Sequence, residues 1–332
     1  MNKLTKIGVS ALCGSLASVV AANAGSLDVT GGATATYVSL DGEVTGNPFG
    51  MASAMTFTGN GELDNGSTFT LTIAHTNKSA YTASGIAITT PTLGTFKYDE
   101  GGGTGLDRID DMMPTAWEEV DGTGLGMGLR TVTGVGGGSD IEWDVGMGLP
   151  DGMNAYIAYT PQADGSKPAN KAVGGINDQT DGIGWDVVLT HSGLYDGLNV
   201  FAGYSNIAQN ATIGDRESRA FGVTYAIGGA TLGYQYSKDD KVGADTYYEN
   251  QAYGISFSVN DNLSVSYGVH ESDKEGADGT ATVSLEGESI QVAYTVGGAS
   301  IKFAESSVDN RNYTTGTSAN KEGRTVALTL AF

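Results

Sequence analysis

The sequence predicts an all-β protein, a 16-stranded antiparallel transmembrane β-barrel with a long third loop. Three observations predict the barrel. From residue 27 onward, apolar residues recur at every second position, the period of a strand whose two faces meet different surroundings. The connections alternate between tight turns and long polar stretches, which gathers all the turns at one end of the array. The segment before the first strand is built for export.

Composition narrows the field first. The 51 glycines among 332 residues are about twice the usual share while prolines number only 6, which fits neither collagen nor a Pro-rich disordered tract. Acidic residues outnumber basic ones 38 to 17, for a net charge of −21. Such a chain cannot neutralise phosphates with Lys and Arg, so no nucleic-acid partner is expected. Beyond residue 24 no stretch reaches the roughly 20 apolar residues of a membrane-spanning helix. A secreted β-domain, a membrane barrel and an acidic soluble enzyme remain.

Lys3 and Lys6 form a positive start, Ile7 to Ala22 an apolar run and Ala22-Asn23-Ala24 a small-residue cleavage site, together a signal peptide over residues 1–24. The single cysteine, Cys13, lies inside it behind Leu12, which is too large for lipoprotein cleavage. The exported chain, 25–332, then has no disulfide and needs a large core or a closed hydrogen-bonded sheet. No linker divides it, so it reads as one barrel domain.

Strands are predicted at 27–40, 51–63, 67–76, 85–90, 94–99, 138–148, 153–161 and 182–191, then at 198–206, 218–227, 230–238, 250–259, 263–271, 286–296, 299–306 and 322–332. Phe69, Leu71 and Ile73 alternate with Thr68, Thr70 and Thr72, and Ile141, Trp143, Val145 and Met147 with Glu142, Asp144 and Gly146. Tyr253, Ile255, Phe257 and Val259 continue the pattern, as do Ile290, Val292, Tyr294 and Val296, and finally Val326, Leu328, Leu330 and Phe332. Tight turns fall at Asp64-Asn65-Gly66, Pro91 to Gly94, Pro150-Asp151-Gly152, Ser192 to Gly197, Gly228-Gly229, Asn260-Asp261-Asn262 and Gly297-Gly298, with the Asn, Asp and Gly that hairpins require. The long stretches between them are 41–50, 77–84, 100–137, 162–181, 207–217, 239–249, 272–285 and 307–321.

A secreted β-sandwich also alternates. Here, however, the second face of each strand is Thr, Ser, Gly, Ala, Gln, Asp and Lys, and so many strands exceed one sandwich. Lipid on the apolar face and water within suit a closed barrel. Tyr37, Tyr98, Tyr159, Tyr204, Tyr225, Tyr236 and Tyr294 stand near strand ends, as an interfacial girdle requires.

The third long stretch, 100–137, is longer than loops usually are without a purpose. Its middle carries Asp107, Arg108, Asp110, Asp111, Glu118, Glu119 and Asp121 beside Ile109, Met112, Met113, Trp117 and Val120. Such an apolar set suits packing against the barrel's inner wall. An ordinary acidic extracellular loop is the plainer alternative.

These features resemble the general diffusion porins of Gram-negative outer membranes, most closely the alphaproteobacterial type, over the whole exported chain: sixteen alternating segments, a long third loop and a last strand Gly323–Phe332 ending in Phe. The resemblance implies passive diffusion of small hydrophilic solutes and ions, with the long third loop folded into the lumen as the constriction. It also implies a homotrimer, contact with outer-membrane lipid and lipopolysaccharide, and recognition of the terminal Phe332 by the barrel assembly machinery. The second loop, Asn77 to Ser84, is shorter than the latching loop of many relatives, a departure from the trimeric pattern.

Other motifs have plain readings. Gly102 to Asp110 fits one copy of the calcium nonapeptide pattern, which works only in stacked arrays. No cofactor or metal is expected, although calcium is the ion an acidic loop suits. The remaining glycines read as relief of crowding and strand bending. His75, His191 and His270 read as rim residues, and His270 with Ser266 or Ser272 is the one imaginable hydrolase set. An adhesive surface barrel and a substrate-specific channel are the rival functional classes.

On the polar face of the predicted strands the basic residues are Lys97 and Lys302, and the acids are Asp28, Glu62, Asp99, Glu142, Asp144 and Asp186. Porins usually set arginines across the constriction from an acidic loop, yet residues 27–76 contain neither Lys nor Arg. A weak transverse field, a negative lumen and a mild cation preference are expected.

Overall fold

The computed structural model describes residues 25–332 apart from 43–45, 78–82, 100–101, 138, 164–181, 210–213, 243–245 and 277–280. The signal segment lies outside the described residues, as does most of the fourth long stretch.

Sixteen strands follow in order: β1 Leu27–Leu40, β2 Phe49–Glu62, β3 Thr68–Thr76, β4 Ala83–Thr90, β5 Gly94–Asp99, β6 Asp140–Val145, β7 Met153–Thr160 and β8 Gly184–Ser192. The second half is β9 Leu198–Ile207, β10 Arg216–Ile227, β11 Ala230–Asp240, β12 Tyr247–Ser258, β13 Leu263–Glu275, β14 Val283–Val296, β15 Ala299–Asp309 and β16 Lys321–Ala331. Each pairs antiparallel with its neighbours in sequence, and β1 pairs with β16 through Ala33↔Leu330 and Tyr37↔Val326, which closes the barrel. Closure matters because each unpaired backbone group in hydrocarbon costs several kcal/mol. Among the described residues no helix is long and apolar enough to cross a membrane.

Each predicted strand appears, with shifts at its ends. β13 continues to Glu275 and β15 to Asp309, beyond the predicted 271 and 306, while β6 stops at Val145. The extensions, such as Tyr248 opposite Lys274, pair polar residues on both faces. The ladder outlives the alternation that sequence reading depends on. At the tight-turn end, Gly228 (φ +59°) and Gly297 (φ +57°) hold left-handed positions where a side chain would be strained.

The faces are inverted relative to a soluble protein. Along β14, Ile290 and Tyr294 are exposed while Ser289 and Gln291 are buried, and β11 to β16 repeat the scheme. Aromatic pairs stud the apolar face: Phe96 stacks on Trp143 at 5.9 Å, and Trp185 leans on Tyr204 at 5.4 Å. The packed core lies on the other side. Leu106, Ile109, Met113 and Val132 are buried with Val188 and Phe201 of the wall, and Val120, Leu125 and Met127 with Leu285 and Val308.

Candidate functional site

The third connection, from β5 to β6, carries 3₁₀ turns at Gly105–Ile109, Val120–Gly122 and Gly134–Gly137. Its first turn packs on β7 to β10. Further along, Pro114 meets β11 and β12, Val120 meets β13 and β14, and Gly124 meets β16 and β1. All these contacts fall on the polar face. One connection reaches the same face of so many strands of a closed cylinder only from inside it.

The wall is prepared for this segment. Gly233, Gly254, Gly268, Ser289, Ser306 and Gly323 stand directly opposite one another across β11 to β16, forming one row of small residues. A Cβ on Gly254 would come within 2.9 Å of Pro114, one on Gly268 within 2.8 Å of Val120 and one on Gly323 within 3.0 Å of Leu125. These glycines admit the third connection, which gives the relief of crowding expected from sequence a specific partner. Burying each large apolar side chain contributes about 1.5–3 kcal/mol, whereas an exposed ion pair contributes about 0–1 kcal/mol. Apolar knobs therefore hold the segment, and polar contacts set its register.

Those polar contacts absorb residues expected to line open water. Gly105 N donates to Glu142 Oε2 (2.8 Å), and Leu106 N and Val135 N donate to Asp186 Oδ2 (2.7 and 3.0 Å). Asp99 accepts from Gly102 N (3.0 Å) and pairs with Lys97 (2.9 Å). Glu142 pairs with Arg108, whose guanidinium lies 3.8 Å from the Tyr156 ring centre. Asp99, Glu142 and Asp186 lie on the polar face and are covered, because the connection's backbone N–H groups need acceptors there. Asp144 stays half-buried on the same face, and Lys302 sits 5.8 Å from the Trp117 ring. Phe332 lies exposed at the barrel's end, tied to Gly31 by two backbone hydrogen bonds.

The acidic residues gather at the apex. Asp111 is exposed, and its charge raises the carboxyls of Asp107, Asp110, Glu118, Glu119 and Asp121, all of them raised chiefly by burial. Asp110 is pushed up to about 7 and Glu119 to about 8, while Gly103 N donates to Asp107 (2.6 Å). Among the described residues no three His, Cys, Asp or Glu side chains are placed to hold a metal ion.

A basic cluster went unnoticed in the sequence. Arg216 holds the fully buried Asp239 through two contacts (2.8 and 2.6 Å), Ser218 donates to it at 2.7 Å, and Arg130 of the third connection approaches it at 3.3 Å. Lys274 lies 5.9 Å from the Tyr248 ring and 5.7 Å from that of Tyr313. Arg311 Nε donates to Gly126 O (2.6 Å), and Arg130 N to Tyr313 Oη (2.9 Å). Basic side chains thus gather on one side of the wall although residues 27–76 contain none, with Arg130 and Arg216 sharing the carboxylate of Asp239. In the sequence the cluster's arginines stand far apart, Arg130 late in the third connection and Arg216 at the head of β10.

His270 does not sit at a rim. It lines a small cavity beneath the third connection with Glu119, Ser266 and Gln291, and its Nε2 has no hydrogen-bond partner. Ser266 accepts from Ala116 N (2.9 Å) and Ser272 bonds Tyr313 Oη (2.7 Å), so neither serine is coupled to His270.

No protein-family model matches the chain, and no curated protein matches it in sequence. Solved structures match in fold. OmpF of Salmonella typhi, in complex with daunomycin, aligns with a TM-score of 0.69 at 17% identity, over 92% of this chain and 97% of its own. An anion-selective porin from Comamonas acidovorans gives 0.67 at 13% identity over 92% and 99%. A porin refined at 1.8 Å resolution gives 0.65 at 15% identity over 92% and 100%. At such identities the likeness establishes the general porin fold.

Proposed function

We propose that the chain is an outer-membrane porin, a water-filled channel for passive diffusion of small hydrophilic solutes and ions, with the third connection as its constriction. One observation carries this reading: an apolar-out, polar-in closed barrel is crossed internally by a segment whose apex bears Asp107, Asp110, Asp111, Glu118, Glu119 and Asp121. Residues 1–24 serve as a cleaved export signal, and Phe332 as the signal to the assembly machinery. Trimeric association, lipopolysaccharide contact and the alphaproteobacterial type follow from the sequence resemblance.

The acidic apex favours cations, because low-dielectric walls concentrate its potential. This is the opposite preference to that named for the Comamonas neighbour. A substrate-specific channel is the second reading, favoured by Arg130 and Lys274 beside Tyr248 and Tyr313, with Arg130 sharing Asp239 with Arg216. Hydrolysis finds no support in serines already committed to the third connection and to Tyr313.

Purified protein in a planar bilayer should give discrete conductance steps proportional to KCl concentration. Absence of steps in correctly folded protein contradicts a channel. Conductance blocked at micromolar levels by one solute class favours the second reading.

A further inference from the structure

We propose that Gln291 is the positioning residue of the constriction: a neutral amide, hidden behind the third connection, that fixes the acidic apex and thereby sets the channel's ion preference. The proposal rests on the reading of that connection as the constriction. Among the described residues, 111–118 make no backbone–backbone hydrogen bond. Those of their polar groups that are turned to the wall and away from water need partners there, because an orphaned buried N–H or C=O is costly.

Gln291 does most of this from a position on β14 that is almost fully covered. Its Oε1 accepts from Trp117 N and Glu118 N, both at 3.1 Å, and lies 3.0 Å from Thr115 Oγ1. Its Nε2 donates to Glu118 O at 2.7 Å and reaches Ser289 Oγ at 3.2 Å. Ser266, directly opposite Gln291 on β13, accepts from Ala116 N at 2.9 Å. Pro114 and Val120 seat on the small residues to either side, so one amide pins the span between two apolar knobs.

The residue type is informative. The apex offers two donors and one acceptor, a pattern an amide matches with its oxygen and NH₂ group. A carboxylate would keep the acceptor contacts and repel Glu118 O. A lysine or arginine would offer only donors and neutralise Glu118. An uncharged amide fixes the backbone beside Glu118 and Glu119 without altering the field they produce.

Gln291→Met, near in volume but without hydrogen bonds, Gln291→Glu, and Thr329→Val at a distant inner-wall position should be compared with wild type. Reversal potential is measured in a KCl gradient, and barrel integrity is followed by heat-modifiable mobility in detergent. We expect all four to give intact barrels. The cation-to-anion permeability ratio should fall at least two-fold in Gln291→Met, stay at or above the wild-type value in Gln291→Glu, and be unchanged in Thr329→Val. An intact Gln291→Met barrel with the wild-type ratio overturns the proposal, as does a Gln291→Glu ratio that falls as far as that of Met. Failure of the underlying reading looks different: wild type itself would conduct no ions, or would be indifferent to removal of the apex carboxylates.

Discussion

Gly254 of β12 stands directly opposite Gly268 of β13, and on this bare patch rest Pro114 and Val120 of the third connection. A barrel wall that needed only to face water would carry Ser or Thr there. The pair exists because a second layer of chain approaches the wall.

Filling that patch should displace the layer and leave the barrel closed. Gly254→Val is expected to insert as a folded barrel, destabilised by about 1–3 kcal/mol as overpacked sites usually are, with altered single-channel conductance. A denaturant midpoint and a conductance histogram measure the two effects. Wild-type conductance in this variant would mean that the patch does not position the connection.

Asp239 is fully buried and shared by Arg216 and Arg130. Removing one member of such a buried set leaves charge uncompensated and typically costs about 3–5 kcal/mol. Asp239→Asn should therefore lower the urea midpoint markedly and shift ion preference towards anions, since two guanidinium groups lose the carboxylate they share. Stability within about 0.5 kcal/mol of wild type, the range of ordinary surface substitutions, would contradict the pairing.

Burial holds Asp110 at about 7 and Glu119 at about 8. Both lie above the ordinary carboxylate range, so these groups are neutral at pH 6 and gain charge as pH rises through 7 and 8. Cation preference should increase between pH 6 and 9, and Asp110→Asn combined with Glu119→Gln should flatten that slope. Linkage has the matching sign. The folded state binds these protons more tightly than the unfolded chain, so the apex's contribution to stability is complete below about pH 4 and lost as pH rises through the folded values. Reversal potentials across pH, paired with melting curves, check both halves.

The strands were legible because period-two alternation reports which face each residue takes, as Ile290, Val292 and Tyr294 against Ser289 and Gln291 show. Ile109, Met113 and Val120 were legible as wall-packing residues because apolar side chains in an acidic loop need a partner surface. The row from Gly233 to Gly323 was not, since each member belongs to a different strand and only register aligns them. Asp186 and Leu106 lie 80 positions apart, and nothing local distinguishes a carboxylate that accepts backbone N–H groups from one that faces water. Arg130 and Arg216 meet at Asp239 for the same nonlocal reason.

The central claim is that the carboxylates of the third connection govern which ions pass. Reversal potential in a KCl gradient at pH 8 should be measured for wild type and for a variant with Asp110, Asp111, Glu118 and Glu119 changed to their amides. The account predicts cation preference in the wild type and a reversal potential close to zero in the variant. Anion preference in the wild type, or an unchanged potential in the variant, would contradict it.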